Sequence, residues 1–275
     1  MLGSMVAHYF ERERVPFRAI PRKEFDVLSG RPARLFEKLS CPSGTYVLNA
    51  MGVVNRKIPT TPLATTVRVN SWFPHELAEL CHSLGMRLIH LSTDCVFSGR
   101  EGGYTESSSL SPTDLYGMSK ALGEPIERAM VVRTSVVGPE IKNFYLLFSW
   151  VLAQEGKTIP GYVNHFWNGV TSLAFAKWLR AVIEKDLFEY GLFHIFSPEV
   201  VTKDWLVRRI ARAFKVKCRI LSEEASERVD RHLRTEKNFC QQVDIPSLET
   251  QMDELARSYQ NEFASPAAFP SGGTI

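Results

Sequence analysis

Short apolar runs bounded by glycine, proline and polar residues alternate along this chain with longer segments whose apolar positions recur every three or four residues. Such alternation predicts strands interleaved with helices, and hence an α/β fold. Arg87-Leu-Ile-His-Leu91 is short, aliphatic and preceded by Leu84-Gly85, and predicts a buried parallel strand. Tyr46-Val47-Leu48 and Met130-Val131-Val132 predict two more, and Leu192 to Phe196 a later, returning strand. Val6, Tyr9 and Phe10 mark an amphipathic helix, after which Val15-Pro-Phe-Arg-Ala-Ile20 reads as a strand. Further helices are expected near Phe144 to Gln154, Thr171 to Glu184, Lys203 to Phe214 and Ser247 to Phe263.

The polar residues at the strand ends carry the candidate chemistry. Ser92-Thr93-Asp94 falls at the carboxyl end of the Arg87–Leu91 strand, the edge of an open α/β sheet where ligands bind. Cys95 to Tyr104 is turn-rich and predicts a loop over that edge. Ser111-Pro112-Thr113-Asp114 supplies a helix start, with Thr113 or Asp114 as cap. Tyr116 and Lys120 follow at i and i+4, so both project from one helical face.

Taken in order, Ser92-Thr93-Asp94, Tyr116-Gly-Met-Ser-Lys120 and Gly123-Glu124 resemble the extended short-chain dehydrogenases/reductases, most closely the dTDP-4-dehydrorhamnose reductase group of sugar-nucleotide reductases. Asn49-Ala50-Met51-Gly52, Val69-Asn70, Arg133-Thr134-Ser135, Phe166 to Thr171, Gly191 to Phe196 and Ile245 to Glu249 extend the likeness over nearly the whole chain. The resemblance implies a Rossmann-like, doubly wound parallel sheet with a smaller carboxyl-terminal substrate lobe. Residues 1–140 would form the dinucleotide-binding lobe and 141–263 the substrate lobe, partly returning to the main sheet. The breaker-rich residues 264–275 are expected to be disordered.

Reducing a ketone requires a hydride on carbon and a proton on oxygen. Tyr116 is the candidate acid. Its phenol needs a neighbouring cation to donate near neutral pH, which Lys120 supplies. Thr93 is placed to donate a second hydrogen bond, or to satisfy its own strand end. By resemblance, Lys120 also binds the nicotinamide ribose, and Gly3, Asn49, Ala50 and Gly52 belong to the cofactor site. Arg22 would meet the 2′-phosphate of NADPH, with NADH the alternative cofactor, or is a surface charge. Asp94, Phe97, Tyr104, Glu106, Arg133 and Asn168 are candidate substrate contacts. The polar loop residues among them could equally be solvated, and Arg133 could anchor a carboxylate.

Two positions depart from the group: Cys95 and Val136 stand where its members usually carry aromatic residues, which bears on the sugar bound. The opening Met1-Leu-Gly-Ser-Met5 matches only the last third of a Rossmann glycine fingerprint, with Gly3 as its final glycine. The expectation is a truncated amino terminus that lacks the first strand and two glycines and binds dinucleotide poorly.

Composition narrows the classes. At 275 residues and 44% hydrophobic the chain has ample core, and a net charge of +3 with scattered basic residues argues against a nucleic-acid partner. Five unpaired-looking cysteines, an odd number without metal spacing, fit a reduced cytoplasmic setting and no metal site. Neither an apolar span nor a leader pattern points to a membrane. The expected activity is reduction of a nucleotide-linked 4-keto-6-deoxy sugar in deoxysugar and polysaccharide biosynthesis, by a chain that could form a homodimer. An epimerase or dehydratase on the same fold, or a non-catalytic regulatory relative, are the alternatives.

Overall fold

The computed structural model describes residues 1–140 and 146–263, leaving out the side chains of residues 240, 241 and 260–263. Phe144, the expected start of a helix, and the 264–275 tail lie outside the described residues.

Helix α1 (Leu2–Arg12) buries Met5, Val6, Tyr9 and Phe10 along one face. The next segment corrects the sequence expectation: Val15 to Ile20 is extended coil, not a strand. An extended segment becomes a strand only where a neighbouring ladder takes up its backbone groups. No strand pairs with it among the described residues. Pro16 removes one donor, and Phe17 packs edge-on against Phe10 instead.

Helix α2 (Pro32–Leu39) leads to β1 (Tyr46–Asn49). Helix α3 (Leu63–Val67) runs through a π-helical turn at Arg68–Trp72 into α4 (Phe73–Ser83). Strand β2 (Arg87–Leu91), helix α5 (Leu115–Ala121), β3 (Met130–Arg133) and the short β4 (Val136–Val137) follow. Beyond them come α6 (Leu147–Leu152), β5 (Thr158–Tyr162), β6 (His165–Trp167), β7 (Val170–Thr171), α7 (Ser172–Glu184) and β8 (Gly191–His194). The chain closes with β9 (Val201–Thr202), α8 (Lys203–Ala213), β10 (Arg219–Glu223), β11 (Val229–Asp230) and α9 (Leu248–Phe263).

The main sheet has the order β1-β2-β3-β8 and is parallel throughout. Alternation along each strand feeds two apolar layers. Ile89, Leu91, Met130, Val132 and Phe193 pack toward α1 and α7. Leu88, Val131 and Leu192 pack toward Phe73, Leu77, Ala78 and Cys81 of α4. Covered on both faces, these strands read as continuous apolar runs, which is why they were legible in the sequence. The β11-β6-β9 and β5-β10 sheets lie in the later half of the chain.

A buried ion pair fixes the carboxyl edge. Arg133 donates twice to Glu124, Nε to Oε1 at 2.9 Å and Nη2 to Oε2 at 2.7 Å. Both side chains are 3% exposed. Ser92 Oγ donates to the same carboxylate at 2.5 Å. Arg133→Met leaves Glu124 charged and uncompensated, and should cost about 3–5 kcal/mol in urea unfolding. Adding Glu124→Gln to that variant should recover part of the loss; an equal loss in the double variant would contradict this account.

Candidate active site

Strand β2 ends at Leu91, and the backbone turns through Thr93 into a short 3-10 turn. Thr93 caps it, its Oγ1 accepting from Cys95 N at 3.2 Å and donating to Asp94 Oδ1 at 3.1 Å. The hydroxyl therefore does serve its own strand end. It also lies near the Tyr116 phenol.

Asp114, rather than Thr113, caps α5, accepting from Gly117 N at 2.7 Å. The helix lies very close to its neighbours. A Cβ on Gly117 would collide with the Cys95 carbonyl, and one on Gly123 with the carbonyl of Asn70. Asn70 locks the opposite side, with Oδ1 accepting from Val53 N at 2.7 Å and Nδ2 donating to Ser119 Oγ at 3.0 Å. These contacts pin the loop after β1, which carries Ala50 and Gly52 directly beyond the strand-end Asn49, against the helix that carries Tyr116 and Lys120.

Tyr116 is half-buried and Lys120 buried. Burial, then the neighbouring Cys95, pushes the Tyr116 phenol above its usual value, while the nearby Thr93 hydroxyl pulls it back. Tyr116 therefore holds its proton at neutral pH, the form an acid needs. Burial brings Lys120 down to about 8, against the opposing pull of Glu124. Its Nζ donates to the Leu91 carbonyl at 2.6 Å. Asp94 is buried beside this pair, and burial raises its carboxyl while Arg231 opposes the rise.

Among the other sequence candidates, Gly3 stands at the amino end of α1, where an added Cβ would touch Ala50 at 3.5 Å. Arg22 lies on an exposed turn and pairs with Asp26 at 3.0 Å; no contact ties it to the rest. Four candidate substrate contacts, Phe97, Tyr104, Glu106 and Asn168, are held within the chain. Phe97 is fully buried and stacked on Tyr104 at 4.3 Å. The Tyr104 hydroxyl accepts from Gly99 N and Glu101 N. Glu106 accepts from His194 N, Thr235 Oγ1 and Glu236 N, and Asn168 exchanges two hydrogen bonds with Leu233. The physical reason is shared: their polar atoms are already bonded within the chain and their apolar surfaces are covered. Arg133 is engaged by Glu124, which leaves only its buried Nη1 without a partner.

Sequence reasoning missed Arg231. Its Nε donates to the Phe97 carbonyl at 3.1 Å, and its Nη1 lies 3.8 Å from Cys95 Sγ. The signal was the Arg228, Arg231, Arg234 spacing, but only the fold brings that segment to Asp94.

Residues 1–264 match the family described as RmlD substrate binding domain. The chain belongs to this family. Within it, dTDP-4-dehydrorhamnose reductase of Mycobacterium tuberculosis is 29% identical over 236 residues, 77% of this chain and 76% of that protein. Methionine adenosyltransferase 2 subunit beta of Danio rerio is 32% identical over 152 residues, 48% of this chain and 45% of the other. The fold likewise superposes on a solved dTDP-4-dehydrorhamnose reductase from Bacillus anthracis in complex with NADP. That TM-score is 0.78, at 17% identity, with 94% of this chain and 95% of that one covered.

Tyr116→Phe should lower reductase turnover by about 10² or more with an unchanged melting temperature, since it removes one hydroxyl and no packing. An unchanged rate would exclude Tyr116 as the acid. Because the ammonium of Lys120 is lost as pH rises through about 8, kcat/KM should fall above that pH. A profile flat to pH ~10, the ordinary lysine range, would contradict it.

Proposed function

We propose that the chain is an NADPH-dependent reductase of a nucleotide-linked 4-keto-6-deoxy sugar, of the dTDP-4-dehydrorhamnose reductase type, acting in deoxysugar and polysaccharide biosynthesis. The observation that carries this reading is Thr93, Tyr116 and Lys120 gathered at the carboxyl edge of a parallel sheet in a chain of this family. NADPH, when bound, supplies the hydride for the carbonyl carbon. The remaining work falls to the chain. Thr93 and Tyr116 hydrogen-bond the carbonyl oxygen, and Tyr116 gives it the proton that completes the alcohol. Lys120, as an ammonium, stabilises the phenolate left behind and binds the nicotinamide ribose.

The residues present fit a dinucleotide. The amino end of α1 has no side-chain cap and lies near Ala50, just after β1, which leaves its first backbone N–H groups to a pyrophosphate. Asn49 ends that strand, and Ala50 and Gly52 follow it in the loop. Arg22, with a side chain 76% exposed, is free to turn from Asp26 to a 2′-phosphate. Asp94 is left to take a hydroxyl of the sugar. Arg231, at the rim, offers the cation that the diphosphate of a nucleotide sugar requires.

The likeness to methionine adenosyltransferase 2 subunit beta favours one second reading, a regulatory relative without turnover. Incubation with dTDP-4-keto-6-deoxyhexose and NADPH separates the two: NADPH binding without oxidation would favour the regulatory reading. In the reductase, NADPH should be preferred to NADH by roughly tenfold or more, and Arg22→Ala should erase most of that preference.

A homodimer and a cytoplasmic setting are part of the same proposal. Trp72 and Leu122, 67% and 70% exposed, stand with Met118 on neighbouring helical segments joined by the Ser71–Ser119 bond. A second copy would cover these apolar side chains. The cysteines among the described side chains are free thiols, in keeping with a reducing compartment. Among the described residues no helix is long and apolar enough to cross a membrane. Leu122→Glu should halve the mass seen by sedimentation equilibrium; a monomeric parent would refute the dimer.

A further inference from the structure

Strand β2 carries a buried titratable residue that the reaction chemistry above leaves unused. His90 is fully buried, and the parallel register sets it beside Asn49. The backbone fixes the Asn49 amide, because its Oδ1 accepts from Met51 N at 3.2 Å. Its Nδ2 therefore faces His90 Nδ1, at 3.1 Å. An amide nitrogen can only donate, so Nδ1 accepts, and the single proton of a neutral imidazole lies on Nε2. Burial, and after it the charge of Lys120 and of His75 on α4, holds the imidazole well below its usual range, so the ring is neutral. Its Nε2 lies 3.5 Å from Lys120 Nζ.

The two forms of the lysine meet that N–H differently. An ammonium carries three donors and no lone pair, whereas an amine offers a lone pair that Nε2–H can enter. We propose that His90 is a positioning residue for Lys120: held by Asn49 as the Nε2–H tautomer, it favours the amine over the ammonium and makes Lys120 a proton-exchanging group rather than a permanent cation. Asn49 thereby acts on the lysine from a different strand without touching it. Burial works in the same direction, and Glu124, from the end of the Lys120 helix, works against both. The Leu91 carbonyl takes one lysine proton in either form, which keeps Nζ in place while its charge changes. The consequence for turnover rests on the reading of Tyr116 and Lys120 as the catalytic pair; the geometry does not.

Heteronuclear NMR of the labelled full chain tests this without an assay. Long-range proton–nitrogen correlations report the His90 tautomer, and the Lys120 Cε shift reports its titration, with Lys120→Met providing the assignment. The expected results are an Nε2–H imidazole and a Lys120 midpoint near about 8. In His90→Phe, which keeps the ring and removes the donor, that midpoint should rise by roughly one pH unit. If His90 instead accepted a proton from the lysine, removing it would lower the midpoint. A lower or unchanged midpoint, or an Nδ1–H tautomer in the parent, overturns the proposal. Should His90→Phe fail to fold, the parent's tautomer decides alone. Full reductase turnover in Lys120→Met would defeat the catalytic reading while leaving the titration result where it stands.

Discussion

The carboxylate of Glu124 is the point on which the candidate site depends. It follows α5 directly, accepts from Ser92 just beyond β2, and takes two charge-assisted bonds from Arg133 at the end of β3. Three elements are thus referenced to one buried group. Removing water from around an ion is costly unless every lone pair is occupied, and here the occupants are the elements whose positions matter. Thr93 follows Ser92 by one residue and Lys120 precedes Glu124 by four, so the placement of both follows from this cluster. Removing either partner would leave a charge where water cannot reach it.

The same dryness sets the chemistry. Low dielectric pushes the Tyr116 phenol up and the Lys120 ammonium down, which in isolation moves both away from charge. Glu124 is the countering anion for Lys120, and the nearby Thr93 hydroxyl counters the rise at Tyr116. Tyr116 stays protonated, whereas Lys120 is held between opposing effects, where small changes in neighbours alter proton occupancy. His90 and Asn49 act in that margin, through hydrogen-bond direction rather than net charge.

The second half of the chain encloses the cleft. Residues 230–237 run beside the 97–106 loop, held by the Tyr104–Leu233 bridge, by Tyr104 N donating to the His232 carbonyl, and by Thr235 Oγ1 and Glu236 N donating to Glu106. An added Cβ on Gly102 would collide with the Asp230 carboxylate, so glycine is what lets the two segments meet. This junction brings Arg231 to Asp94 and Cys95.

The sequence by itself determined the strands β1, β2, β3 and β8, the helices α7, α8 and α9 to within a residue or two, the start of α5, and the placement of Tyr116 and Lys120 on that helix. Each of these signals is local: a continuous apolar run, a capping residue, an i to i+4 spacing. It could not decide Val15 to Ile20, because a strand exists only in a ladder and the ladder is a property of the fold. Nor could it assign Phe97, Tyr104, Glu106 and Asn168, since a polar or aromatic loop residue looks the same whether it faces a ligand or the chain's own backbone. Arg133 was open between two roles until Glu124 was found against it. The Asn49, His90, Lys120 alignment came from the tertiary structure alone. Residues 41 and 30 positions apart share no sequence pattern, and only strand register and helix packing set one ring nitrogen against an amide and the other against an amine.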